Sequence, residues 1–277
     1  MKVFYLLFLI PILFSCVEGS EKTMIASPDG LNKVVFNLSE AGEPMYQIVH
    51  RSEVIIDYST FGFDLQDAPL INKGFKVIGS SAKEISENWE QPWGEQRTVA
   101  NNCSELIVHL QEENSPHRRM NIQFRVFDDG VGFRYALLAQ EEIDSVAILD
   151  EKTEFRLTGD HTAWWIPGDW DIYEHLYSTS KVSEIDALSK RGHTNLAQTT
   201  IPHNAVNTPV TLRTKSGLHI AIHEANLTDY AGMTLKVDPE KLILKSGLVG
   251  SGNQDYKVKR ALPFTTPWRT IQIGEKA

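Results

Sequence analysis

Apolar residues recur at every second position along much of this 277-residue chain, and that period belongs to extended strands, not helices. Val34, Phe36 and Leu38 alternate with polar neighbours. Leu106, Val108 and Leu110 do the same against Glu105 and His109, as do Ile122, Phe124 and Val126 against Asn121, Gln123 and Arg125. One buried and one solvated face is the habit of antiparallel strands. Asp129-Gly130 divides the runs at 122–127 and 131–135 and predicts a tight hairpin, since both residue types tolerate positive φ. Gly217 marks a second hairpin, and residues 67–69 and 115–117 read as loops. One short helix is expected at 183–190, with Ser183 as its N-cap. Repeated short strands with turn residues between them predict an all-β sandwich. A chain of this length can bury roughly three quarters of its unfolded surface as one domain. No linker, internal repeat or low-complexity tract interrupts it.

Charge and cysteine usage narrow the function. A net charge of −9 leaves no basic stripe to neutralise phosphates, which excludes nucleic acid as a partner. Arg118 and Arg119 follow a Ser-Pro turn and read as a solvated loop. The chain begins with Lys2 and an apolar run over 3–14, the length of an export-signal core and too short to span a bilayer. The sequence LFSC at 13–16 looks like a bacterial lipobox with Cys16 as the lipidated residue; the alternative is a soluble signal cleaved near Gly19. Residues 1–19 are therefore read as a signal and 24–277 as the folded domain. The protein is expected to be exported, periplasmic or held at a membrane through a lipid anchor alone. Cys103 then has no partner and reads as a small space-filler.

The chemistry concentrates in GDHTAWWIPGDWDIYE at 159–174. Three tryptophans on so polar a segment are not all ordinary core. Flat aromatic faces suit the C–H face of a sugar, and clustered carboxylates suit sugar hydroxyls or a hard cation such as calcium. Trp164, Trp165 and Trp170 are the candidate stacking rings, and His161, hydrogen-bonded by Asp160, is a further candidate contact. The plainer reading is a loop anchored by one or two aromatics with solvated acids around it. Trp89 and Trp93 flank Pro92, which predicts a loop or edge; they read as a plug at one end of the sandwich more readily than as a sugar platform. His223-Glu224 offers the residue types of a mutarotase acid–base pair, yet neighbours on a strand face opposite ways. The glycines at 130 and 132 read as turn residues. There is no phosphate loop, serine nucleophile motif or helical histidine pair.

The segment at 159–174, with WEQPWGE at 89–95, FRVFDDGVGFRY at 124–135, IHEANLTDYAGM at 222–233 and TPWRTI at 266–271, resembles the N-terminal domain of glycoside hydrolase family 97, bacterial α-glucosidases and α-galactosidases. The resemblance implies an antiparallel β-supersandwich, similar to the galactose mutarotase fold, in front of a catalytic (β/α)8 barrel that is missing from this chain. No catalytic residue is then expected here. It further implies that Glu174 reaches across to that barrel as one ligand of an active-site Ca2+. The chain would wall a pocket for an α-linked oligosaccharide. Two alternatives stand beside this: a mutarotase-like aldose epimerase, and a sugar-binding lipoprotein.

Overall fold

The computed structural model describes residues 23–276 apart from 142 and 193; the segment read as an export signal, with Cys16, lies outside the described residues. The fold is all-β, as the alternation predicts. An eight-stranded antiparallel sheet runs in the order Thr23–Ala26, Asn32–Leu38, Pro44–His50, Glu53–Thr60, Glu154–Leu157, Ile243–Val249, Gly232–Asp238 and Ala205–Asn207. The larger sheet runs Ser178–Lys181, Thr162–Trp165, Val210–Arg213, His219–Ala225, Trp268–Gly274, Gly130–Leu137, Arg119–Phe127, Thr98–Glu112 and Phe75–Glu90, with Phe264–Thr265 beside Gly130–Leu137. A three-stranded sheet of Val258–Ala261, Ser145–Glu151 and Phe63–Leu65 completes the frame.

The two large sheets bury their alternating apolar sets against each other. Val34, Phe36 and Ile48 from one meet Val108, Ile122 and Phe124 from the other, all essentially without exposure. At the centre, Tyr46 stacks on Phe61 with ring centroids 4.8 Å apart, and Phe133 closes on both at 4.8 and 5.2 Å. Such pairs add about 0.5–1.5 kcal/mol each beyond their area burial. The Tyr46 hydroxyl is not stranded, because it donates to the Glu154 carbonyl at 2.7 Å. Cys103 is a buried free thiol whose S–H donates weakly to the Asn101 amide oxygen at 4.0 Å, in keeping with a space-filling role.

Four local expectations are corrected. The helix at 183–190 is replaced by two single 3-10 turns, Val182–Glu184 and Leu188–Lys190. Ser183 lies inside the first and is no cap; its N–H and hydroxyl both donate to Asp160, at 2.9 and 2.8 Å. Arg118 is buried rather than solvated. Its Nε and Nη2 grip the Glu112 carboxylate at 2.7 and 2.5 Å, and its remaining N–H groups donate to the Pro69 and Leu70 carbonyls. One guanidinium thus pins the 67–70 loop to the sheet edge. Glu105 points to the solvated side yet is 2% exposed, covered by Lys83, Arg125 and Gln123. Burial works against its ionised form, but the Arg125, Lys83 and Gln123 contacts outweigh that and leave its pKa below the usual carboxylate value.

The fourth correction concerns the glycines at 130 and 132. The hairpin is present, but its two linking residues are Asp128 and Asp129, and Gly130 already pairs with Phe127 as strand. Gly130 does not occupy positive φ. A Cβ there would sit 2.5 Å from the Ile271 carbonyl oxygen, so the glycine serves the close approach of two backbones. Gly217 is the contrasting case, with φ of +93° and nothing within 4 Å. Gly130→Ala is therefore expected to destabilise by about 1–3 kcal/mol through overpacking, and Gly217→Ala by less, through backbone strain alone. Denaturant midpoints of the two variants check the order, and a reversed order would remove the overpacking account.

Candidate functional site

The segment at 159–174 folds as a short strand between two dissimilar ends, and its aromatic residues do not form one site. On Thr162–Trp165, side chains alternate. Trp165 turns inward, is 2% exposed, and donates its indole N–H to the Ser180 hydroxyl at 3.0 Å. It is a core residue and presents no face to a ligand in this domain. Trp164 turns to the other face of the sheet, half-buried beside the His219 ring and beneath the Arg213 guanidinium. His161 precedes the strand and Trp170 follows it, so the two lie at opposite ends. Asp160 does not hold His161, since its carboxylate is taken by Ser183. Burial of His161 pushes its pKa below the ordinary histidine value.

Beyond Trp165 the chain leaves the sheet in a loop that is fixed from beneath. Gly168 N–H donates to the Ala205 carbonyl at 2.7 Å, and Trp170 N–H to the Thr199 carbonyl at 3.0 Å. Asp169 is the anchor. Its side chain has no exposure and accepts N–H bonds from Asp171, Ile172 and Thr199 at 2.9, 3.2 and 3.1 Å. His175, itself buried, approaches the second carboxylate oxygen at 3.4 Å. Asn207 secures both ends of the turn: its amide oxygen accepts the Asp169 N–H and its amide nitrogen donates to the Ile172 carbonyl. The Asp171 carboxylate accepts the Thr199 hydroxyl. Of the loop's acids, two are spent on holding its shape.

What this rigid turn presents outward is aromatic and apolar with one free acid. Trp170 is 39% exposed, Tyr173 63%, Leu176 81% and Tyr177 62%. Glu174 stands exposed among them and makes no hydrogen bond or ion pair with any described residue. A monomer seldom leaves such a run of large apolar side chains in water without a partner to cover it. Asp169 is too deep and too engaged to join Glu174 around a cation. Among the described residues, no three His, Cys, Asp or Glu side chains converge as a metal site.

Other sequence candidates separate. Trp89 ends the long strand Phe75–Glu90, while Trp93 sits in the turn beyond it; they are 51% and 82% exposed, so neither plugs the sandwich. Glu224 is drawn inward, where its carboxylate accepts from Arg269 Nη1 at 2.6 Å and from the Met233 N–H at 3.0 Å. His223 faces the other side of that strand.

The charge network that holds Glu224 has no signature in the sequence. Arg269, with no exposure, donates from Nε and Nη2 to the equally buried Glu151 at 2.9 and 2.6 Å. Glu151 also accepts the hydroxyls of Thr153 and Tyr230. Burial opposes the cation, yet the two carboxylates prevail and raise the Arg269 pKa above its ordinary value.

Residues 25–277 match the family model described as glycosyl-hydrolase 97 N-terminal. A probable retaining alpha-galactosidase of Streptomyces bingchenggensis is 24% identical over 234 residues, covering 83% of this chain and 32% of that protein. A glycoside hydrolase family 97 enzyme of Pseudoalteromonas sp. superposes with a TM-score of 0.80 and 32% identity, over 92% of this chain and 36% of that one. That enzyme has been solved in complex with panose and with acarbose. A beta-arabinopyranosidase shares the fold, with a TM-score of 0.77 at 21% identity. The chain spans about a third of the length of these relatives.

Proposed function

Because the chain belongs to the glycosyl-hydrolase 97 N-terminal family, we propose that it is the non-catalytic, carbohydrate-facing module of an α-glycoside hydrolase. Its 166–177 loop packs against a catalytic (β/α)8 barrel and walls a pocket for an α-linked oligosaccharide. Trp170 supplies the ring nearest that pocket. Glu174 completes the shell of a Ca2+ whose other ligands come from the barrel. The observation that carries this reading is the unpaired Glu174 carboxylate, held out on a rigid loop among exposed aromatic side chains. Calcium takes six to eight oxygens, and one carboxylate supplies at most two. A lone ligand of this kind suits a shared site and not a private one. The apolar start of the chain and Cys16 support export, with a lipid anchor as the means of retention.

The epimerase reading loses its acid–base pair, since Arg269 immobilises Glu224 inside the protein while His223 faces away from it. The sugar-binding lipoprotein reading shares the exposed aromatics but leaves the free glutamate without a role.

The test is association in trans. With a separately produced catalytic barrel of a family member, Ca2+ should promote binding, because a metal held only by the assembled form stabilises it by mass action. Glu174→Gln removes the charge and keeps the shape. It should weaken the Ca2+-dependent association at least about tenfold, the factor corresponding to about 1.4 kcal/mol. Folding stability should not change, as the exposed side chain makes no hydrogen bond or ion pair with a described residue. Sedimentation with and without chelator reads the result, and equal association of the two proteins would refute the ligand role.

A further inference from the structure

At the far end of Thr162–Trp165, about 10 Å from the loop just described at ~3.3 Å per strand residue, a cleft of about 600 Å³ opens. Three of its lining residues are cations, Lys181, Arg213 and Lys215, and none forms an ion pair with a described residue. The Lys181 ammonium donates to the Thr162 hydroxyl at 3.4 Å and acts electrostatically on Asp160, and Arg213 lies over the Trp164 ring. Two acids, Glu53 and Asp160, line the same cleft and keep their charge, but neither closes to an ion pair with the three cations. Glu53 accepts the Ser216 hydroxyl with both oxygens, and Asp160 is held by Ser183. In a chain of net charge −9, a cleft lined by three cations against two acids is locally net positive.

Two lining histidines also carry unsatisfied buried nitrogens. His161 is 6% exposed, and its Nε2 is buried with no hydrogen-bond partner. The His219 Nδ1 on the same wall is likewise buried and unpartnered. Buried polar atoms without partners carry a cost, and a ligand in the cleft removes it once either ring turns its buried nitrogen outward. A neutral imidazole can donate one N–H to an oxyanion, and a guanidinium fork matches a carboxylate or phosphate. The volume exceeds what a bare oxyanion fills. We infer that this cleft binds a monosaccharide-sized anion, a sugar bearing a carboxylate or a phosphate, held by Arg213, Lys181 and Lys215 above His161. This site is independent of the loop that carries Glu174.

Calorimetric titration of the full chain at low salt with glucuronate, glucose 6-phosphate and glucose tests it. One or both anions should bind and glucose should not; which anion binds identifies the recognised group. Arg213→Gln/Lys215→Gln, at two exposed positions, should weaken anion binding at least about tenfold, since charge-assisted contacts are the strong ones. Lys76→Gln, which removes an exposed cation outside this cleft, should bind as the unaltered chain does. Anions that bind no more tightly than glucose, or a double variant that binds them unchanged, would overturn the assignment.

Discussion

Arg269→Met is expected to be among the most damaging single substitutions in this chain, costing about 3–5 kcal/mol. The guanidinium holds two buried carboxylates at once, Glu151 through Nε and Nη2 and Glu224 through Nη1. Methionine fills much of the volume but leaves both acids facing each other in a dry interior. At ~2–4 °C per kcal/mol for a domain of this size, the melting temperature should fall by on the order of 10 °C. A second variant separates charge from packing. Adding Glu151→Gln to Arg269→Met removes one of the stranded charges, so the pair should cost less than the sum of its singles. Denaturant unfolding of the four proteins in the cycle measures the coupling. Strict additivity would mean that the triad is three independent buried residues and not one network.

The strands were legible in the sequence because their signal is local. Each alternating run states which face is buried, and the antiparallel sandwich follows from enough such runs. The resemblance carried by 159–174 and its companion motifs identified the domain in the same way, through short continuous stretches. What could not be read is what depends on distant pairings. Arg269 and Glu151 are 118 residues apart, and neither lies in a pattern that marks it as buried. Arg118 follows a turn and looks solvated until the 67–70 loop closes over it. Gly130 looks like a turn glycine because Asp-Gly favours hairpins, whereas the constraint comes from the neighbouring strand's Ile271.

The candidate site was legible as composition and not as geometry. Counting rings and acids over sixteen residues picks out the segment, but alternation on Thr162–Trp165 sends Trp165 to the core and Trp164 to the opposite face. The acids divide by depth in the same manner. Asp160 closes a 3-10 turn, Asp169 anchors a loop, and only Glu174 is left free. A cluster in sequence became two ends of a strand, each with its own electrostatic character: a lone acid among aromatics at one, three cations outnumbering two acids at the other.

Asp169→Ala should abolish the display of that free acid without touching it. Three backbone N–H groups, from Asp171, Ile172 and Thr199, lose their acceptor, and His175 loses its partner. A buried donor left unsatisfied costs about 1–3 kcal/mol. The loop can recover part of that by opening to water, so a net cost of about 2–4 kcal/mol is expected, concentrated at 169–177. Hydrogen exchange should show those amides losing protection while the strands of both sheets keep theirs, the pattern of local and not global opening. Because Trp170 and Glu174 are placed by this anchor, Ca2+-dependent association with a catalytic barrel should fall at least as far as in Glu174→Gln. Asp169→Asn is the graded control: its remaining carbonyl oxygen can still accept the Asp171 and Ile172 N–H bonds, but the charge opposite His175 is gone, so its effects should be intermediate. If Asp169→Ala leaves the loop amides protected and the association intact, the turn is held by the Asn207 and Ala205 contacts alone, and the buried aspartate is not what positions Glu174.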